Sequence, residues 1–443
     1  MKHAISPTSS SSLAPAALVL LASLVPGCGG QQPDAQAPQG AAPADAPVEA
    51  AAATEAATKP ADIATLAARE VATPLAKAPV ELPVAGGGSL KIDVEAASAP
   101  KANLEGDIVA LTIPLGTKQP VQCDIYKSRI DNAGSLARML ADIGKKVTVT
   151  AARTTDVQAK GHAPLLSAEA DYTVSSKPAE PKPGQKAPPP EVRQGLFKMA
   201  LRSSDSHSFL CTHNELGYRE TFKRVVAGLS EALAPAVKTA PQLVLIDAVR
   251  QGGAAVGFRE QRVVNDPKGG RIIETFEAWL TPKAPSEFVG QDLSSRVLVE
   301  RSGGVLGGSF VRTQNGELVS EVTLRKKGAK EYAYDGKESG KPIKGAFKAS
   351  KDITTDVSRA PALKAFAAGK DEETTFVGYA PAVDAAAPRE EKFQKKGDAL
   401  LVTAGSSNLK VKLDASGLLE KAEPATPDAT AIVYERLEAR GAL

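Results

Sequence analysis

The stretch Asn315-Gly316-Glu317-Leu318-Val319-Ser320-Glu321-Val322-Thr323-Leu324-Arg325 decides the fold of the C-terminal half. Asn-Gly supplies two residues that tolerate positive φ, as a two-residue hairpin turn requires. Beyond it Leu318, Val322 and Leu324 alternate with Val319, Glu321, Thr323 and Arg325, which predicts a strand with one apolar face. The same texture runs from residue 240 to residue 443. Gly252-Gly253 and Gly303-Gly304 each join two alternating runs, and Gly307-Gly308 is read with them as a turn. Leu409, Val411 and Leu413 alternate with Lys410, Lys412 and Asp414 before the turn Ala415-Ser416-Gly417. One helix is predicted over 360–368, with Ser358 near its N-cap. Ala362, Leu363, Phe366 and Ala367 recur three and four apart and are expected on its inward face. About ten or more antiparallel strands and one helix predict a half-barrel or a large curved sheet.

Upstream, residues 89–236 read as an α+β domain. Ile108-Val109-Ala110-Leu111-Thr112-Ile113-Pro114 predicts a buried strand stopped by proline, and 121–126 predicts a second. Leu136, Met139, Leu140 and Ile143 recur at helical spacing, with Asn132 as N-cap and Gly144 as the stop. Strands are expected at 146–155, 168–175, 195–202 and 207–212. The Pro/Lys-rich segment 177–190 reads as an exposed excursion. A last helix places Phe222, Val225, Val226, Leu229 and Leu233 on one face. Strands, helix, strands, helix in this order argue an α+β fold with an N-terminal α/β sandwich-type domain.

The N-terminus carries a different signal. Lys2 precedes an apolar run over 13–25 that ends Val25-Pro26-Gly27-Cys28-Gly29. The run is too short for a stable bilayer span and suits a signal-peptide core. Residues 29–88 are Ala/Pro-rich with almost no large apolar residue before Ile63, so 28–88 is expected to be a disordered tether. A flexible chain of that length reaches ~40–45 Å on average. No later stretch is apolar for long enough to suggest a membrane helix.

The 443 residues carry 54 basic and 51 acidic side chains, a formal charge of +3, which selects neither nucleic acid nor anionic membrane. Aromatics make up 4% of the chain, too few for base-stacking platforms. With Cys28 set aside, Cys123 and Cys211 remain as a pair, and in an oxidising compartment a structural disulfide between them is expected. The densest polar cluster is Asp205-Ser206-His207-Ser208-Phe209-Leu210-Cys211-Thr212-His213. On a strand, Asp205, His207, Phe209, Cys211 and His213 would share one face, with the polar members at a sheet edge. Cys211 and His213 could then share a metal ion, with His162 the one histidine left to complete the site. Cys211 with His213 as base, and Asp205 or Glu215 as orienter, would make a thiol hydrolase, but a disulfide removes the nucleophile. The basic run Arg325-Lys326-Lys327 with Lys330 reads as a solvated strand end. Glu372-Glu373 and Glu390-Glu391 are adjacent and on a strand face opposite sides, which suits neither pair to shared acid–base work. Trp279 reads as a sheet core or rim residue.

Three resemblances follow from these residues. The segment ending Gly27-Cys28 resembles a bacterial lipoprotein signal, although Pro26 stands where such motifs usually carry Ala, Ser or Thr. The resemblance implies cleavage after residue 27, lipidation (palmitate) of Cys28, and an outer-membrane address because Gly29 follows the cysteine. The strand ending Ile113-Pro114 and the strand-then-helix over 209–233 are weakly similar to PsbP-like and DcrB-like envelope domains, which implies a non-enzymatic accessory role. The 240–443 region resembles the half-barrels of periplasmic lipoprotein carriers in architecture alone. Together they imply a non-catalytic envelope lipoprotein, facing the periplasm or the cell surface. It would bind a protein, cell-wall or apolar small-molecule partner and no nucleic acid, with no cofactor expected. A carrier of an acyl or apolar ligand in the second domain is the alternative, and a thiol- or metal-dependent enzyme at Cys211 and His213 is a third.

Overall fold

The computed structural model describes residues 63–84, 87–175, 192–234, 241–284, 287–426 and 431–443. The expected signal (1–27), Cys28, the tether as far as residue 62 and the excursion at 177–190 lie outside them. Helix α1 (Ile63–Ala68) leads into a hairpin of β1 (Ala76–Pro83) and β2 (Ser89–Ala96). This differs from the tether expected to run to residue 88. Val80 and Leu82 are buried on one face of β1 with Glu81 pointing away, a period of two hidden between prolines.

A seven-stranded sheet follows. Its strands are β3 (Lys101–Glu105), β4 (Ile108–Ile113), β5 (Val121–Tyr126), β6 (Thr148–Lys160), β7 (Ala163–Ser175), β8 (Val192–Arg202) and β9 (Ser208–Asn214). Helix α2 (Ala133–Gly144) lies between β5 and β6, and α3 (Arg219–Ala232) follows β9. The order β3-β4-β5-β9-β8-β7-β6 is antiparallel throughout and puts β9 in the interior of the sheet. Cys123 on β5 sits directly opposite Cys211 on β9, Cα atoms 4.0 Å apart and sulfurs bonded. Around them Leu111, Phe209, Phe222, Val225, Val226 and Leu229 form a core with the β1–β2 hairpin.

The remaining strands are β10 (Leu243–Gln251), β11 (Ala254–Asn265), β12 (Arg271–Ala284), β13 (Glu287–Val299), β14 (Val305–Gln314), β15 (Glu317–Gly328), β16 (Glu331–Glu338) and β17 (Lys341–Lys348). After helix α4 (Ala360–Ala368) come β18 (Glu373–Gly378), β19 (Arg389–Lys396), β20 (Ala399–Ala404), β21 (Ser407–Leu413), β22 (Leu419–Pro424) and β23 (Ile432–Gly441). These form one fourteen-stranded antiparallel sheet, two meanders joined where β10 pairs with β23. Glycine turns set its register: Asn315 and Gly316 adopt φ of 52° and 81° between β14 and β15. Gly307-Gly308 differs from its reading as a turn. Both lie inside β14, where a Cβ would meet the backbone of β15 or β13.

The long sheet rolls up. Phe310 on β14 and Phe347 on β17 contact the ring of Tyr379 beyond β18, at centroid distances of 5.3 and 5.5 Å. The segment between β17 and α4 spans the seam between the two ends of the sheet. Ile353 accepts a hydrogen bond from Val305 N, and Thr354 N donates to Val377 O, each at 2.8 Å. Helix α4 turns only Ala360, Leu363 and Phe366 inward. Ala362 and Ala367, expected beside them, are exposed, because the helix buries a single narrow stripe.

The two sheets share a core. Leu136 and Leu140 of α2, with Leu166, Met199, Leu201 and Leu210, pack against Ala248, Phe258, Ala278, Leu280 and Phe288 on the outer face of the rolled sheet. Asn132, expected to cap α2, makes no side-chain cap bond. The cap comes from Asp292 on β13, whose carboxylate accepts from Asn132 N, Ala133 N and Gly134 N at 2.9, 3.1 and 2.8 Å. Gly290 and Gly134 allow this close approach: a Cβ on Gly290 would stand 2.2 Å from Ala133 O.

Candidate functional site

Alternation along β10, β11 and β12 gives both faces buried work. Ala248, Phe258 and Ala278 face the shared core, and Asp247, Arg259 and Glu277 face the inside of the roll. The inside holds two apolar layers. One gathers Leu245, Val263, Ile273, Val297 and Tyr332, and the other Val249, Trp279, Leu363, Phe366, Phe393 and Val402. Between them runs a belt of charge that the sequence reading did not find. Arg436 Nε donates to Asp247 at 2.5 Å, and Asp247 accepts from Arg259 Nε at 2.9 Å. Arg259 Nη1 reaches Asp356 at 3.3 Å, and Asp356 accepts from Arg359 Nη2 at 2.7 Å. Arg359 Nη1 ends the chain on Glu391 at 2.5 Å. Three guanidinium groups thus face three carboxylates. Asp356 and Arg359 belong to the seam segment, so the belt pins that segment and α4 to the floor of the sheet. Glu277 accepts a hydrogen bond from the Tyr434 hydroxyl, and burial pushes its carboxyl up to about 7.

The signal for this belt was weak. Asp247, Arg259, Glu277 and Glu391 are polar residues within strands, and such residues ordinarily face water. Glu390 and Glu391 do face opposite sides, as expected: Glu390 bonds the Ser350 hydroxyl and Glu391 is buried on Arg359.

The cluster around Cys211 is not assembled as its strand reading expects. Asp205 and His207 precede β9. Asp205 is paired with Arg129 and Arg262, away from the others. His213 is buried in the interior of the sheet, not at an edge, because β9 lies between β5 and β8. Its Nε2 lies 3.1 Å from Gln119 O and its ring stacks on Phe222. Burial and the nearby Lys198 push its pKa down to about 4, so it is neutral. Cys211 is bonded to Cys123, which leaves no thiolate there. His162 pairs with Glu438 instead. Among the described residues no group of three His, Cys, Asp or Glu side chains could hold a metal ion. The basic run is neutralised in part: Arg325 bonds Asp335, Lys326 bonds Glu300 and Asp352, Lys330 donates to the Ser350 carbonyl, and Lys327 is exposed.

An open cleft of about 650 Å³ lies at the rim of the roll. Trp279, Leu293 and Arg312 contribute from β12, β13 and β14; Val383 and Asp384 from the loop after β18; Arg389 from β19. Arg312 Nη1 lies 3.5 Å from Ala382 O, and Arg389 donates to Ala404 O. Neither guanidinium has a carboxylate partner among the described residues. The Nε of Arg312 is buried without an acceptor. Asp384, in the same lining, accepts from Ala386 N at 2.7 Å within its own turn. Arginines without counter-charges in a partly apolar cleft suit recognition of an anion.

No protein-family model and no curated protein matches this sequence. Two solved structures are similar at low level. One is a DUF1089 family protein from Pseudomonas aeruginosa, 12% identical, covering 40% of this chain and 92% of its own, with a TM-score of 0.28. The other is a β-barrel-like protein of the domain of unknown function DUF1849 from Brucella abortus. It is 10% identical and covers 46% of this chain and 98% of its own, with a TM-score of 0.33.

Proposed function

We propose that this chain is a non-catalytic envelope lipoprotein, anchored through Cys28, that presents its folded body to a periplasmic or cell-surface partner and binds at the rim of the rolled sheet. The observation that carries this reading is the filled roll. Two apolar layers and the ion belt occupy the inside, so a partner would meet a surface concavity such as the rim cleft rather than the interior. The tether expected before residue 63 would hold that rim clear of lipid headgroups. The carrier reading keeps one supporting observation, the apolar floor of the cleft at Trp279 and Leu293.

Photo-cross-linking in intact envelopes tests the binding surface. A photoreactive residue at Val383, 61% exposed on the cleft rim, should give a discrete adduct. The same residue at Lys101, on the far sheet, should not. Equal adducts from both positions, or none from Val383, would contradict the reading. Incorporation of a fatty-acid probe that survives Cys28→Ala would remove the anchor.

A further inference from the structure

We propose that the rim cleft is a binding site for a small amphiphilic anion, its carboxylate or phosphate held by Arg312 and Arg389 and its apolar body laid toward Trp279 and Leu293. This rests on the rim-cleft reading and names the chemistry the cleft would select.

Three features carry it. The first is charge. The guanidinium groups inside the roll answer carboxylates, as Arg259, Arg359 and Arg436 do, whereas Arg271 and Arg301, outside the cleft, have no such partner among the described residues. Arg312 and Arg389 share one cleft and are bonded to backbone carbonyls alone. A guanidinium in partly desolvated surroundings gains most from a bidentate oxyanion, because its planar fork matches both oxygens. The second is the buried Arg312 Nε without an acceptor. An unmade donor of this kind is costly, and an oxyanion that draws the guanidinium toward the cleft would relieve it. The third is the lining. Trp279 and Leu293 from the sheet, and Ala382 and Val383 from the loop opposite, give an apolar body two walls. At about 650 Å³ the cleft has the size of small-molecule sites. Asp384 is held in its own turn and discriminates against a second negative group placed on that side.

Trp279 is the one tryptophan of the chain, so its emission reports the cleft directly. The full chain carrying Cys28→Ala is titrated with dodecanoate, dodecyl phosphate and dodecylammonium below their micelle concentrations. Both or one of the anions should change the emission saturably, and dodecylammonium, with the same chain and the opposite charge, should not. A stronger response to dodecanoate points to a free acid as the natural ligand, and a stronger response to dodecyl phosphate points to a phosphate headgroup. Losing a charge-assisted hydrogen bond is worth a loss of roughly tenfold or more, so Arg312→Gln and Arg389→Gln should each weaken binding by about that factor. Arg325→Gln, outside the cleft, should leave it unchanged. Should Arg312→Gln lower the melting temperature, Arg389→Gln carries the comparison. Equal response to all three amphiphiles, no saturable change, or affinity untouched by Arg389→Gln would overturn the proposal. A discrete Val383 adduct in the same circumstances would retain the rim as the binding surface and discard only the anion.

Discussion

In the rolled sheet, Arg436, Asp247, Arg259, Asp356, Arg359 and Glu391 answer one another in a continuous series. In the seven-stranded sheet, buried Lys198 and His213 are handled singly. Lys198 Nζ donates to the carbonyls of Glu215 and Gly217 at 2.5 and 2.7 Å, and burial pulls its pKa down to about 8. His213 stays neutral. The rolled sheet links most of its buried charges into one series; the seven-stranded sheet has no such series, pairing Glu169 locally with Arg153 and Arg219, leaving Lys198 on backbone carbonyls and holding His213 neutral. A paired belt fixes geometry, since each ion holds its neighbour in place, whereas a neutralised group can be replaced by something apolar of its shape.

The covalent tie in the seven-stranded sheet should give the largest effect. Cys123 and Cys211 are 88 residues apart, and closing a loop of that length is worth about 4–5 kcal/mol in the chain-entropy model. Cys123→Ser with Cys211→Ser should lower the unfolding free energy by that order in a urea titration. In the belt, Arg359→Ala strands Glu391, leaves Asp356 to Arg259 alone, and should cost about 3–5 kcal/mol. Proteolysis should then begin in the segment 349–359. A belt variant that leaves stability unchanged would break the comparison.

The third effect is of opposite sign in the two sheets. Glu277 holds its proton more tightly folded than unfolded, so its stabilisation is complete below about 4.5 and lost as the pH rises through about 7. His213 binds its proton less tightly folded, so its contribution is complete above about 6.5 and lost as the pH falls toward 4. Each shift corresponds to an effect on the order of 3 kcal/mol. Thermal melts from pH 4 to pH 8 should show Glu277→Gln gaining on the parent chain as the pH rises. His213→Gln should gain on it as the pH falls. The smallest effect concerns the junction: Asp292→Ala removes the acceptor for three backbone N–H groups and should cost about 1–2 kcal/mol. Exchange protection should fall first at residues 132–136.

Strands such as β15 and β21 and the turns beside them were legible because period two and turn chemistry are local, whereas β1 was hidden among the prolines of the expected tether. Asn315-Gly316 and the alternation at Val322 and Leu324 sufficed, while Leu318, beside the turn, is 52% exposed. Helix α2 was legible from its apolar stripe. Its cap was not, because Asp292 lies 160 residues downstream of Asn132. The mid-strand pair Gly307-Gly308 resembled a turn since glycine serves both turns and close backbone approach. The belt was hidden for a third reason. A strand buried on both faces by polar pairing looks, in one dimension, like a strand with a wet face. The cleft has no local signature either: Arg312 and Arg389 are 77 residues apart in number and meet only once the sheet has rolled.

The two sheets are one body, joined by the core of α2, β7, β8 and β11 and by the Asp292 cap. Equilibrium unfolding in urea tests it with one probe in each sheet. Trp279 emission follows the rolled sheet, and hydrogen-exchange protection of the β9 amides follows the seven-stranded one. A single shared midpoint is expected for both probes. Two resolved midpoints, with one sheet unfolded while the other keeps its native signal, would contradict it.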